Sequence, residues 1–309
     1  MRLYKRFAFL SVLATYFLIF VGGLVRVSGA GLGCPDWPKC FGRWIPPLSI
    51  QQLPAEFDPA TFNFTLAWIE YVNRLIGVLI GLLILISAIL ALIYFRKKLS
   101  VLIPSLLAAI LVAYQGWQGS QVVASELEPL IVSIHMGIAF VIISLLIYAA
   151  MSAHFALNPD LSVGVFPKNI TGFVFGVWIL SIVQVVLGTQ VRGAIETAAK
   201  EYPLTFGTDL LEKVKIVDTL HMSTGIMVVF IILALVVVLL AKSRNLAYFI
   251  RQTLWALILV SLLQLVIGHF LILVGLPELI QLLHLWLASL LIGLLLILLV
   301  SIRNGGARL

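Results

Sequence analysis

The sequence predicts an all-α membrane protein, eight transmembrane helices arranged as two duplicated four-helix bundles. Three observations carry that expectation. Of the 309 residues 62% are hydrophobic and only 11% charged, with a mean hydropathy of +1.14, a balance that excludes an ordinary soluble domain. The apolar residues gather into eight stretches, each long enough to cross a hydrocarbon core of ~30 Å with ~20 residues. The second half of the chain also repeats the first. Glu70-Tyr-Val-Asn73-Arg-Leu-Ile-Gly77 aligns with Asp218-Thr-Leu-His221-Met-Ser-Thr-Gly225. Farther on, Gln115, Gly119, Leu127, Ile131 and His135 superimpose at one constant spacing on Gln264, Gly268, Leu276, Ile280 and His284. The halves are expected at residues 1–157 and 158–309.

The first span, at about 7–27, follows Arg2, Lys5 and Arg6 and precedes Ser28-Gly29-Ala30, the pattern of a cleavable leader. It is retained in this reading because Gly22-Gly-Leu-Val-Arg26 resembles Gly188-Thr-Gln-Val-Arg192 at the end of span five, and a removable leader would not share in the repeat. An outer loop of about 28–67 follows, rich in Pro, Trp and Phe, with Trp44 and Trp68 near the interface where amphipathic rings sit. It carries the only two cysteines, Cys34 and Cys40. An even pair outside the membrane reads most simply as a structural disulfide. A redox-active pair is the alternative, and zinc is disfavoured because the loop has no other Cys or His.

Span two (68–94) opens on Glu70, Asn73 and Arg74, span three (101–122) carries Gly119, and span four (130–151) carries His135. Span five (171–190) leads into a mixed-charge outer loop of about 191–215. The long loops after spans one and five are placed as lids over the outer mouths of the two bundles. Spans six (216–241), seven (253–275) and eight (280–301) carry His221, His269 and His284. Only helices satisfy the backbone throughout such spans. Gly119 and Gly268 recur at equivalent depth, either for close helix packing or to make room for a flat ligand.

The net charge of +7 does not indicate nucleic acid, because the basic residues sort by topology rather than forming a patch. With the N-terminus inside, twelve of the twenty lie on one side, including Arg96, Lys97, Lys98, Lys168, Lys242, Arg244, Arg251, Arg303 and Arg308, against one acid, Asp160. The positive-inside rule then puts both termini in the cytoplasm. No transit-peptide pattern is present, which favours a prokaryotic plasma membrane.

An intramembrane histidine is costly and reads as functional. His221 and His284 enter their spans at matched depth. A metal ion alone needs three or four protein ligands, whereas two facing histidines suit a porphyrin iron, whose macrocycle supplies the rest. His221 and His284 are therefore a candidate bis-histidine haem site. The first half offers His135 with Asn73 where the partner histidine should stand, and so a haem-sized site with an open position. Glu70 shares a helix face with Asn73 and could carry protons or orient substrate. Arg26, assigned to the first-half haem site, and Arg192, assigned to the second-half one, suit either haem propionates or snorkelling to the interface. Arg74, deeper and specific to the first half, is the better propionate partner. His154 falls in a cytoplasmic loop, and His269 has no assigned role.

The run Gly22-Gly-Leu-Val-Arg26-Val-Ser-Gly-Ala-Gly-Leu-Gly-Cys34-Pro-Asp-Trp-Pro-Lys-Cys40-Phe-Gly42 is similar to the first span and outer loop of bacterial haem A synthases. Glu70-Tyr-Val-Asn-Arg74 resembles their Glu-x-x-His-Arg motif, and the resemblance extends over all eight spans. It implies an oxidation of one methyl group of haem O to a formyl group, giving haem A for terminal oxidases. It also implies a b-type haem on His221 and His284, the substrate haem on His135 in the N-terminal half, and Glu70 in catalysis. Asn73 departs from the pattern. The implied partners are haem O, the lipid bilayer, a redox partner, haem O synthase, oxidase assembly factors and a second copy of the chain. Two rival readings are a quinol-linked di-haem electron-transfer cytochrome and a haem transporter. The missing ligand at Asn73 weighs against the first. Polar groups gathered near the outer surface rather than at the midplane weigh against the second.

Overall fold

The computed structural model describes residues 1–202, 204 and 209–308. Among them nine α-helices run in the order α1 (Arg2–Val27), α2 (Phe64–Tyr94), α3 (Leu99–Ala124), α4 (Pro129–Leu157), α5 (Ile170–Glu201), α6 (Asp209–Lys213), α7 (Lys215–Lys242), α8 (Tyr248–Leu273) and α9 (Glu278–Gly305). All but α6 are long and apolar enough to cross a membrane.

Local signals start several of these helices. Asn63 caps α2, its side-chain oxygen accepting from Leu66 N at 3.1 Å. Glu128 does the same for α4, accepting from Ile131 N at 2.8 Å, with Pro129 at the first helical position. Such a cap satisfies one of the donors that a helix start leaves unpaired, and proline costs nothing there because it has no N–H to lose.

The α3–α4 and α8–α9 turns are built alike. Leu127 and Leu276 both take a left-handed φ of 63°. The Leu127 N–H closes on Val122 O at 3.0 Å, and the Leu276 N–H on Leu271 O at 2.9 Å. A left-handed leucine is uncommon. Each stands the same number of residues before a histidine, so the two turns set His135 and His284 at the same height in their helices.

In packing, α1, α2, α3 and α4 close one ring of neighbours, and α5, α7, α8 and α9 close another. The rings meet where α9 packs on α1 and α4, and where α4 touches α5. The centre is α9: 61% of its apolar stretch is buried against protein, against 22–33% in the other seven. Ile143 and Ile147 of α4 meet Leu296 and Val300 of α9 in a fully apolar seam. Lipid tails are as apolar as these residues, so the seam gains from close packing rather than from escape from water. Hydroxyl pairs add to this within the first ring, Ser11 with Ser87 at 3.0 Å and Tyr4 with Ser105 at 2.8 Å.

Two features differ from the sequence reading. The fifth helix does not stop at 190 but runs to Glu201. Beyond Val191 the chain is polar yet rich in strong helix formers (Ala194, Glu196, Ala198, Ala199, Lys200), and hydropathy marks where the chain leaves lipid, not where the helix ends. An Arg192–Glu196 pair at 2.7 Å, one turn apart, adds ~0.2–0.5 kcal/mol. The mixed-charge loop expected at 191–215 is thus largely helical; residues 203 and 205–208 of it lie outside the described residues. The second feature is a short parallel pair, β1 (Gly164–Phe166) with β2 (Gly306–Arg308), which draws the segment before α5 onto the end of α9.

Candidate functional site

His221 and His284 are each the seventh residue of their helices, α7 and α9. Their rings face one another with centres 6.4 Å apart and planes at 78°. Metal–imidazole bonds of about 2.0–2.1 Å on either side of one iron, with the ring radii added, amount to roughly this separation. The rings share a cavity of about 450 Å³.

Glycines make that cavity. A Cβ on Gly188 of α5 would stand 3.0 Å from His221 Cε1, and one on Gly268 of α8 would stand 2.9 Å from His284 Cε1. Each imidazole thus sets its Cε1 corner against a bare stretch of the neighbouring helix. Gly225 serves differently: a Cβ there would come within 2.7 Å of Gln184 Nε2. Its absence admits the Gln184 amide, which donates to His221 O at 2.7 Å, lies 3.0 Å from His221 Nδ1 and accepts from Thr224 Oγ1 at 2.7 Å. Around His284 the partners are poorer. Its Nδ1 and the nearby Gln264 Oε1 are buried without any hydrogen bond. Unpaired buried polar atoms cost ~1–3 kcal/mol each, and the other ring nitrogen, Nε2, lies 3.4 Å from Gln264 Nε2, so protein groups alone satisfy this imidazole poorly. Spacing and glycine cradle together fit a haem held between the two histidines.

The cavity wall is not confined to the C-terminal half. Gly23, Arg26 and Val27 of α1 and Met136 of α4 contribute to it. Arg26 was expected at the first-half site; it lines the second-half cavity instead. Its Nη1 donates to Met136 Sδ at 2.9 Å and its Nη2 pairs with Glu196 at 3.3 Å. Arg192 lines the same cavity, pairing with Glu196 and donating to Gln281 Oε1. One carboxylate on the extended part of α5 thus joins arginines from both halves. His269 also borders this cavity.

In the first half, His135 is the seventh residue of α4, with Gly119 of α3 beside it; a Cβ there would be 3.8 Å from His135 Cε1. Gln115 Nε2 donates to His135 O at 2.9 Å, and Gln118 Oε1 lies 2.6 Å from His135 Nδ1. Asn73 Oδ1 is buried without a partner, and the nearest glycine position to it, Gly22, would place a Cβ 4.0 Å away. Glycine therefore backs the side chain in four helix pairs, and in three of them that side chain is histidine.

Glu70 and Arg74 are both committed to the first outer loop. Glu70 Oε2 accepts from Cys34 N at 2.7 Å while Oε1 pairs with Arg74. Arg74 donates to Asp36 O and Lys39 O, each at 2.8 Å. The loop is closed by a Cys34–Cys40 disulfide. Asp36 tightens it by accepting from Phe41 N at 2.6 Å and Gly42 N at 2.9 Å. Phe41 packs edge-on against Phe57 and Phe62, so the loop has a small core of its own. Arg74 is thus a clamp on loop carbonyls rather than a free cation awaiting a propionate.

Sequence reasoning passed over Gln118, Gln184, Met136, Glu196 and Gln281. For Gln184 a signal was present: Gln-x-x-x-Gly occurs at 115–119, 184–188 and 264–268, each time on the long apolar helix preceding one that carries His135, His221 or His284. The other four depend on contacts between distant elements and left no local mark.

A family model described as cytochrome oxidase assembly protein, COX15-CtaA, matches residues 5–296. The chain is 26% identical to the haem A synthase of Rickettsia prowazekii, over 94% of this chain and 95% of that protein. It is likewise 26% identical to the haem A synthase of an Exiguobacterium species, over 95% and 92%. A match to the haem A synthase of Shewanella oneidensis is stronger, at 34%, but local, covering 45% of this chain and 42% of that protein. With one family model spanning all eight apolar helices, the chain belongs to the COX15-CtaA family of cytochrome oxidase assembly proteins.

Proposed function

We propose that this protein is a haem A synthase of a bacterial inner membrane, oxidising one methyl group of haem O to a formyl group. The observation that carries the reading is the facing pair His221 and His284, 6.4 Å apart across a glycine-walled cavity, in a chain whose full-length relatives bear that name. The C-terminal half, 158–309, would hold a b-type haem on these two imidazoles. The N-terminal half, 1–157, would receive haem O, with His135 at its iron and Asn73 opposite. Both termini are assigned to the cytoplasm and both sites to the outer side, in keeping with the charge distribution.

When bound, the cofactor haem supplies one-electron redox chemistry. The protein's own contribution is geometric and electrostatic. His221 and His284 would hold the haem through both imidazoles, an arrangement that would suit it to electron transfer rather than to substrate binding. Arg26 and Arg192 offer guanidinium groups along the cavity wall for the propionates, competing there with Glu196. In the first half Asn73 leaves one face of the substrate iron without a strong ligand. Glu70, buried one turn before Asn73, fastens the disulfide loop at the first half through both of its oxygens, and we assign it a role in turnover through that placement. The reaction inserts one oxygen atom, from water or dioxygen, and withdraws electrons from the methyl carbon, so a co-reactant supplying that oxygen and a redox partner are both required; haem O synthase and the oxidase assembly factors would deliver substrate and take product.

Expression in cells that make haem O but lack a haem A synthase tests this directly. Mass analysis of extracted haems should find haem A only when this protein is present. Haem O alone, alongside a correctly folded protein with its low-spin haem, would overturn the enzyme reading and favour the electron-transfer cytochrome.

A further inference from the structure

The three histidines differ in what their ring nitrogens meet. Gln118 of α3 is buried, 4% exposed, and its amide is held at both ends. Its Nε2 donates to Ile131 O at 3.0 Å, and its Oε1 lies 2.6 Å from His135 Nδ1. Oxygen and nitrogen of an amide are assigned from their partners, and here only one assignment works. Turning the amide over would set its oxygen against the Ile131 carbonyl and its N–H₂ against the imidazole. With Oε1 facing Nδ1, and an amide oxygen able only to accept, the ring must carry its proton on Nδ1. The other nitrogen, Nε2, keeps its lone pair.

Neither histidine of the second half is prepared in this way. His221 Nδ1 faces the amide nitrogen of Gln184, whose oxygen is engaged by Thr224. His284 Nδ1 is buried with no partner, and an amide nitrogen, that of Gln264, lies 3.4 Å from its other nitrogen, Nε2. The repeat explains the second case: the position matching Gln118, one before the glycine, is Ile267 in α8. It is Leu187 in α5 and Val21 in α1. Gln118 is therefore a departure peculiar to the helix pair that holds His135, in the half where Asn73 has removed the opposing imidazole.

We propose that Gln118 is a positioning residue, which locks His135 in the Nδ1-protonated form and so makes Nε2 a preorganised, strengthened axial donor for the iron of the porphyrin substrate. A ligating histidine that donates its other N–H to a carbonyl is fixed in tautomer and orientation and is the more basic ligand. A site with one imidazole gains more from this than a site with two, because nothing on the far side of the iron compensates for a loose ring. The inference rests on the reading of the first half as the haem O site, and its test separates the two.

The experiment uses detergent-purified protein with its C-terminal haem in place and reduced, carrying isotope-labelled histidine. Ring-nitrogen resonances of His135 are assigned by their loss in His135→Ala. The wild type is expected to show a proton on Nδ1 and none on Nε2. Gln118→Met, similar in shape and without an acceptor, should lose that preference, and Gln118→Glu, which as a neutral carboxylic acid keeps an acceptor for Nδ1–H and a donor for Ile131 O, should restore it. A proton on Nε2 in the wild type overturns the proposal, and does so even if Gln118→Met fails to fold. An unchanged tautomer in Gln118→Met also overturns it.

The second arm titrates the same protein with zinc(II) protoporphyrin, which takes a single axial ligand. Gln118→Met should weaken its binding by about 10–100-fold, with recovery in Gln118→Glu. If the tautomer follows Gln118 but the axial-ligand signature survives His135→Ala, the ligand assignment and the substrate-site reading fall together, while the hydrogen-bond lock stands.

Discussion

Replacing Gly268 and Gly188 by alanine tests the glycine cradle, because the structure supplies a graded series. A Cβ at Gly268 would stand 2.9 Å from His284 Cε1, at Gly188 3.0 Å from His221 Cε1, and at Gly119 3.8 Å from His135 Cε1; at Gly77 nothing lies within 4 Å. The first two distances are below ordinary carbon contact and the third is within it. With no haem bound, an imidazole can swing aside at little cost. With both rings fixed on one iron it cannot, so the overlap is felt in the haem-bound state.

Over-packing of this kind costs ~1–3 kcal/mol, which is about a 5- to 150-fold loss of haem affinity at a factor of ten per ~1.4 kcal/mol. Against it, alanine is favoured over glycine inside a helix by ~0.8–1.0 kcal/mol. Gly268→Ala and Gly188→Ala should therefore fold normally but carry less haem and a weaker low-spin spectrum. Gly77→Ala should gain thermal stability and keep its haem, and Gly119→Ala should leave the second-half spectrum untouched. The assay is haem-to-protein ratio and visible absorbance of purified protein, with a thermal melt in parallel. Full low-spin absorbance in both Gly268→Ala and Gly188→Ala would refute the cradle and with it the placement of haem between His221 and His284.

Three further outcomes are expected. Asn73→His should give a second low-spin centre on loading with haem where the wild type shows one, since Asn73 Oδ1 is already buried and unpartnered; two such centres in the wild type would show that another residue supplies the missing ligand and refute the reading of Asn73 as an open position. Glu70→Gln keeps an acceptor for Cys34 N–H but removes the charge paired with Arg74, an ion pair whose side chains are only 6% and 15% exposed. Breaking a buried pair costs up to ~3–5 kcal/mol, so the disulfide loop should become protease-sensitive and haem O conversion should fall while the low-spin haem stays; unchanged conversion would remove Glu70 from the mechanism. Glu196→Gln should free Arg26 and Arg192 for the propionates and slow haem loss, by no more than the ~1 kcal/mol that a part-exposed pair is worth; faster haem loss would mean that Glu196 acts as a strut between the halves.

Much of this architecture was legible in the chain because its causes are local. Crossing a membrane demands a run of apolar residues with an internally bonded backbone, and both are properties of one segment at a time. Eight runs therefore announced eight helices, and the charges between them suggested an orientation. The repeat added depth: Leu127 and Leu276 lie at equal spacing before His135 and His284, and the turns they make are alike. What the sequence left undecided was which partner each polar side chain takes, since that depends on atoms far away in the chain. Arg26 was assigned to the first half because it lies in that half of the chain; packing of α1 on α9 brought it to the second-half cavity. Arg74 was equally suited to a propionate until the disulfide loop folded its carbonyls onto it. Glu196 could bridge two arginines only because α5 continues past the apolar run that hydropathy detects. The tautomer of His135, set by a glutamine anchored to a third residue, is a property of three side-chain and backbone groups in one geometry, and no single stretch of sequence contains it.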